Sequence, residues 1–188
     1  MDNNSIKYDA IFLDRDGTLN PDPGYISSVK DFSFYPFTIS ALQKLSSLTN
    51  HLCIVTNQSG VSRGLIKKNE LEKIHSYLIE SLENENISIS GLYVCIDLPG
   101  SNSKRRKPSP GMFIEAAENL SLSLDRCLMI GDSVHDILAG NRLNMETMLV
   151  LTGLGHKTVK NYSSEINATF IVKDLMKGAE MLLELQNK

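Results

Sequence analysis

Short apolar runs recur along the chain at residues 10–13, 52–55, 92–96, 127–130, 147–151 and 169–172, most of them closed by polar or glycine residues. Runs of this length predict interior strands. Segments with an apolar period near 3.6 fall between most of them and predict helices: Ala41, Leu42, Leu45 and Leu48; Leu71, Ile74, His75, Leu78, Ile79 and Leu82; Met112, Phe113, Ala116, Ala117 and Leu120; Leu175, Ala179, Leu182 and Leu183. Asn69 and Glu72 are spaced like a capping box, Asp174 is placed like an N-cap, and Ser109-Pro110 reads as a cap followed by proline at the first helical position. Alternating strand and helix predicts an α/β fold, a Rossmann-like three-layer sandwich around a central, mainly parallel sheet.

Two stretches lack periodicity, residues 20–36 and 98–110. Both follow predicted strands, where loops carry binding and choice of substrate. They are too short for a separate cap domain, so residues 1–188 read as a single domain with an open site. A chain of 188 residues with 41% hydrophobic content suffices for one core. Lys and Arg number 19 against 22 Asp and Glu, a net charge of −3, which offers no field for nucleic acid or an acidic membrane. A small-molecule substrate fits better, and a monomer is expected. Met1 to Tyr8 is polar, no apolar run reaches the length of a membrane span, and a cytoplasmic protein is expected. Cys53, Cys95 and Cys127 read as buried free thiols without redox spacing.

The chemistry concentrates where apolar runs end. The first run delivers Asp14 and Asp16 into Gly17-Thr18. Ligands of open α/β sheets bind beyond the carboxyl ends of strands, and two carboxylates this close call for a cation or a shared proton. The first can attack phosphorus to form an aspartyl-phosphate, while the second protonates the leaving oxygen and later activates water. Alone, Asp-Arg-Asp-Gly is also a common polar turn; the clusters that follow argue otherwise.

The second run ends in Thr56-Asn57-Gln58-Ser59-Gly60, a hydroxyl and exposed amides suited to phosphate oxygens. In Lys104-Arg105-Arg106-Lys107-Pro108, proline restricts Lys107 to an extended conformation just outside a helix start, where an ammonium can neutralise a transferring phosphoryl group. The fourth run ends in Gly131-Asp132-Ser133-Val134-His135-Asp136. Asp132 is the natural metal ligand. Asp136, four residues on and on the same face of a new helix, could hold either the hydrated metal or Lys107. All-oxygen donors point to Mg²⁺ rather than zinc. Of the four histidines only His135, beside Asp136, stands out.

Together, Asp14-Arg15-Asp16-Gly17-Thr18, Thr56-Asn57, Lys107 and Gly131-Asp132 with Asp136 resemble the four motifs of the haloacid dehalogenase (HAD) superfamily of aspartate-dependent phosphatases, in the right order. Asp22-Pro23-Gly24-Tyr25, Gln58-Ser59-Gly60 with Arg63-Gly64, and Arg106-Lys107-Pro108-Ser109-Pro110-Gly111-Met112 are similar to its subgroup of heptose bisphosphate and histidinol-phosphate phosphatases. The resemblance implies Asp14 as nucleophile, Asp16 as acid/base, and Mg²⁺ on Asp14, the Asp16 backbone carbonyl and Asp132, with Thr56 and Lys107 on the phosphoryl group. It implies substrate contacts from Asp22, Gly24, Tyr25, Asn57, Gln58, Ser59 and Arg106; Arg63 and Arg106 would suit a bisphosphate. A heptose 1,7-bisphosphate leads as substrate, histidinol phosphate is the alternative, and a non-catalytic phosphate-binding module is a further one. Many relatives carry zinc on a Cys-x-His and a Cys-x-Cys. Here Asp97 stands where histidine is expected after Cys95, and Ser103 to Arg105 hold no cysteine, so no structural zinc is expected.

Overall fold

The computed structural model describes residues 8–187, so the polar segment Met1 to Lys7 lies outside the described residues. Six strands, β1 (Ile11–Leu13), β2 (Leu52–Asn57), β3 (Ile89–Cys95), β4 (Leu128–Gly131), β5 (Glu146–Val150) and β6 (Phe170–Val172), form one sheet in the order β3-β2-β1-β4-β5-β6. Every neighbouring pair is parallel. Five helices connect them, α1 (Thr38–Leu45), α2 (Lys68–Glu83), α3 (Gly111–Leu120), α4 (Val134–Arg142) and α5 (Gly155–Tyr162), and α6 (Leu175–Gln186) follows β6.

The strands are uninterrupted apolar runs because both faces of the sheet are covered. Alternate residues of β1 divide between two cores. Ile11 and Leu13 join Ile54, Ile130 and Met148 beneath α1, α2 and α6, while Phe12 joins Val55 and Met129 against α3. The rings of Phe12 and Phe113 meet edge to face at 5.1 Å. Full burial of one such side chain contributes about 1.5–3 kcal/mol. The strand order changes direction at β1, between β2 and β4, the point where such sheets bind ligands.

Boundaries shifted where local chemistry differed from pattern. β2 runs on through Thr56 and Asn57. The proposed box at Asn69 and Glu72 does not form. α2 begins at Lys68, which places Asn69 inside the helix, and Lys67 caps without a side-chain bond; buried Ile66 and Leu71 flank this start in the positions of a hydrophobic staple. α3 starts one residue later than expected, at Gly111, with Pro110 as its cap. Asp174 does cap α6, accepting from Lys177 N–H. α5 escaped the sequence reading because Gly-His-Lys-Thr-Val-Lys-Asn-Tyr buries only Gly155 and Thr158 and so has no apolar period. No helix among the described residues is long and apolar enough to cross a membrane.

Candidate active site

Asp14 emerges from the central strand, its N–H still held by Ile130 O at 2.9 Å. The chain then turns sharply through Gly17, whose φ of +84° favours glycine, and Asp16 bridges back to Asn20. Lys107 arrives from the segment leading to α3 and is 2% exposed. Its ammonium lies 2.8 Å from Asp14 Oδ1 and 2.6 Å from Asp136 Oδ1, and donates to Val55 O at 2.7 Å. All three N–H donors are thereby answered. Burial disfavours this charge, but the flanking carboxylates of Asp136 and Asp14 prevail and hold the ammonium well above the usual lysine range. Asn57 fixes the lysine backbone: its Oδ1 accepts from Lys107 N at 3.1 Å and its Nδ2 donates to Lys107 O at 3.2 Å.

Of the two roles left open for it, Asp136 is placed for the hold on Lys107. It is fully buried, paired with Lys107 through Oδ1, and accepts from Ser133 N and Oγ at 3.0 and 2.6 Å through Oδ2. Ser133 and Asp136 make the capping box of α4. Asp132 precedes that cap, so it is not on the helix, and a different segment seats it. Leu154 N–H donates to its Oδ2 at 2.6 Å and Thr158 Oγ1 donates to its backbone carbonyl at 3.0 Å. A methyl group on Gly17 or Gly153 would lie 2.0 or 2.1 Å from Asp132 Oδ2. The 153–158 stretch carries no site pattern in the sequence, because its contribution is the Leu154 backbone N–H, a Thr158 hydroxyl directed at a backbone carbonyl, and the missing side chain of Gly153.

Oxygens of Asp14, Asp132 and Asp136 all lie within 4.8 Å of one another. Burial first, and then neighbouring carboxylates, push Asp14 up to about 7 against the pull of Lys107, and push Asp132 up to about 8. Negative charge exceeds what Lys107 neutralises. Asp136 is shared between Lys107 and Ser133, and the one ammonium cannot balance Asp14 and Asp132 as well, an all-oxygen pair that fits a hard divalent cation.

Asp16 is held differently. Its Oδ1 accepts from Arg15 Nε at 3.0 Å and Asn20 Nδ2 at 2.9 Å, and its Oδ2 from Arg15 NH2 and Gln58 Nε2, both at 2.7 Å. Burial raises its pKa, but Arg15 and these donors outweigh burial and hold the carboxyl below its ordinary value.

Above these groups opens a cavity of about 310 Å³. Asp14, Asp16, Thr56, Lys107 and Asp132 floor it, and Asp22, Gly24, Tyr25, Asn57, Gln58, Ser59 and Arg106 wall it, together with His135 and Leu154. Asp22 Oδ1 accepts from Gly24 N–H at 2.8 Å, which shapes that part of the rim. Gln58 Nε2 also donates to Thr56 Oγ1 at 2.8 Å, so this amide is shared between two neighbours rather than open. Arg63 does not line the cavity; it is exposed nearby, where its charge helps lower the pKa of Arg106 after the larger effect of burial. The loop before Lys107 is tied internally: Ser103 Oγ donates to Asp97 Oδ2 at 2.5 Å, Cys95 Sγ donates to the same oxygen at 3.5 Å, and Arg106 NH1 donates to Asp97 O at 3.0 Å.

Comparison with known proteins agrees with this geometry. Residues 104–177 match the HAD-hydrolase-like family model. The D-glycero-beta-D-manno-heptose-1,7-bisphosphate 7-phosphatase of Helicobacter pylori strain J99 is 39% identical over 76% of this chain and 83% of its own length. The protein of the same name from Photorhabdus laumondii is 34% identical over 88% of this chain and 90% of its own. The crystal structure of the D,D-heptose 1,7-bisphosphate phosphatase from B. bronchiseptica, complexed with magnesium and phosphate, superimposes with a TM-score of 0.86 at 29% identity, covering 94% and 98% of the two chains. The chain belongs to the HAD-like hydrolases, and it is a phosphatase acting on phosphate esters. Within them its similarity is to the heptose bisphosphate phosphatases.

Proposed function

We propose that this protein removes the 7-phosphate from D-glycero-D-manno-heptose 1,7-bisphosphate. The phosphoryl-transfer part of the reading is carried by Lys107 clamped between Asp14 and Asp136 at the carboxyl end of β1, beneath a polar cavity of about 310 Å³, and the heptose substrate by the similarity to heptose bisphosphate phosphatases. An oxygen of Asp14 attacks phosphorus as the ester bond to the sugar breaks, and Asp16 gives its proton to the leaving alkoxide. Water then attacks the aspartyl-phosphate, Asp16 takes the proton, and inorganic phosphate leaves. With four hydrogen bonds on its carboxylate, Asp16 is set as the base of the second step. Serving as acid in the first requires Asp16 to carry a proton, the one it takes from water as the preceding turnover ends, and one of the four donors must move aside for it. Lys107 neutralises phosphoryl charge from a fixed position, and Thr56 offers a hydroxyl.

Mg²⁺ would be held by Asp14, the Asp16 carbonyl and Asp132, and when bound it neutralises phosphoryl oxygens. No zinc is invoked, since the hydrogen bonds of Asp97, Ser103 and Cys95 tie the loop that borders the entrance. Arg106 and Tyr25 on the rim meet the remote end of the substrate. A cytoplasmic monomer, one domain without a separate cap, completes the reading. The test is kcat/KM, with Mg²⁺, for heptose bisphosphate, histidinol phosphate and a panel of sugar monophosphates. At least tenfold preference for the heptose bisphosphate is expected, about 1.4 kcal/mol of differential binding; equal or better turnover of histidinol phosphate would overturn the assignment.

A further inference from the structure

Arg15 stands between the two motif aspartates, yet its side chain is 1% exposed and does not line the cavity. Its guanidinium is a fork on Asp16, Nε to Oδ1 at 3.0 Å and NH2 to Oδ2 at 2.7 Å. The remaining terminal nitrogen, NH1, meets His75 Nε2 at 2.9 Å. His75 lies on α2, a helix that contributes nothing else to the site. A guanidinium has donors only, so His75 answers it as an acceptor, with the imidazole neutral and its proton on Nδ1. Burial, and then the charge of Arg15, push the His75 pKa down to about 4 against the opposing pull of Asp16, in keeping with that state.

We infer that His75 is a positioning residue for Asp16: acting through Arg15, it fixes the plane of the guanidinium fork and hence the plane of the carboxylate that carries protons in the reaction. The inference rests on the acid/base role given to Asp16 above. A buried guanidinium N–H without an acceptor is costly. With His75 gone, the relief open to Arg15 is to swing toward another acceptor, which withdraws one prong from Asp16. Asn20 and Gln58 still hold the carboxylate in place, but a bidentate partner sets its plane as two single donors do not. The defect falls on proton transfer, since His75 touches neither the cavity nor the residues around the phosphoryl group.

Leaving-group dependence separates this role from general damage. A sugar phosphate expels an alkoxide that needs a proton, whereas p-nitrophenyl phosphate expels a phenolate that does not. The kcat/KM of both substrates is measured with Mg²⁺ for wild type, His75→Leu, His75→Gln and Asp16→Asn. His75→Leu is expected to lose at least about tenfold more on the sugar phosphate than on the aryl phosphate, and His75→Gln, which keeps an acceptor, to recover most of it. Equal losses on both substrates, or a Gln variant no better than Leu, overturn the inference. Should His75→Leu not fold, Arg15→Lys takes its place: it keeps the charge and loses the fork, so the same bias is expected and its absence is fatal. If Asp16→Asn shows no bias, the acid/base reading fails instead.

Discussion

Lys107 Nζ and Asp136 Oδ1 stand 2.6 Å apart, neither side chain more than 2% exposed, and Asp14 completes the cluster from the carboxyl end of β1 at 2.8 Å. Removing one partner of such a cluster strands the others. Lys107→Met is expected to cost about 3–5 kcal/mol in metal-free protein, because two buried carboxylates lose their counter-charge. Chemical denaturation checks it, and a loss below about 1 kcal/mol would show that the pair relaxes into solvent.

Asp14→Asn is expected to abolish turnover, while Asp16→Ala should slow the sugar phosphate reaction by about 10² to 10⁴. Rapid quench with ³²P-labelled substrate distinguishes them. Asp14→Asn should trap no label on protein, and wild-type rates from that variant after repurification would exclude the covalent route.

Metal should stabilise the protein more at high pH than at low. Asp14 and Asp132 titrate near 3.8 in the unfolded chain but at about 7 and about 8 in the metal-free fold. A raised folded value means that their contribution is whole below 3.8 and lost as pH rises through 7 to 8. A divalent cation offsets that charge. The rise in Tm on adding Mg²⁺ is therefore expected to grow from pH 5 to pH 8; a rise independent of pH would place the ion elsewhere.

Gly153→Ala tests the seat of Asp132. Its φ is +52° and the new methyl would lie 2.1 Å from Asp132 Oδ2 and 2.5 Å from Gly17 Cα. Backbone strain and displacement of the carboxylate should lower both Tm and Mg²⁺ affinity. Titration calorimetry would show weaker binding by tenfold or more, and unchanged affinity would mean that Asp132 is not a ligand.

The alternation of apolar runs and helical periods led directly to the sheet, because a parallel sheet buried on both faces must write its strands as unbroken apolar stretches. Asp14, Asp16, Thr56, Lys107 and Asp132 were legible for a related reason: each sits where such a run stops or where proline pins the chain. Three things were not. The bond between Asp16 and Gln58 joins residues far apart in sequence whose spacing has no period. The Arg15–His75 contact places a histidine that reads as part of an ordinary helical stripe against a motif residue that reads as a spacer. Leu154 acts through its backbone N–H, and no side-chain pattern reports a backbone donor.

The pairing of β1 has a consequence for assembly. Leu13 is registered against Ile54 on one side and Ile130 on the other, so Asp14 acquires its surroundings only when the amino-terminal, middle and carboxyl-terminal parts of the chain have all docked. Closing contacts across such separations comes late and together. A chain in which these parts have not docked lacks the assembled acidic cluster, and catalysis by this protein is itself a report that they have.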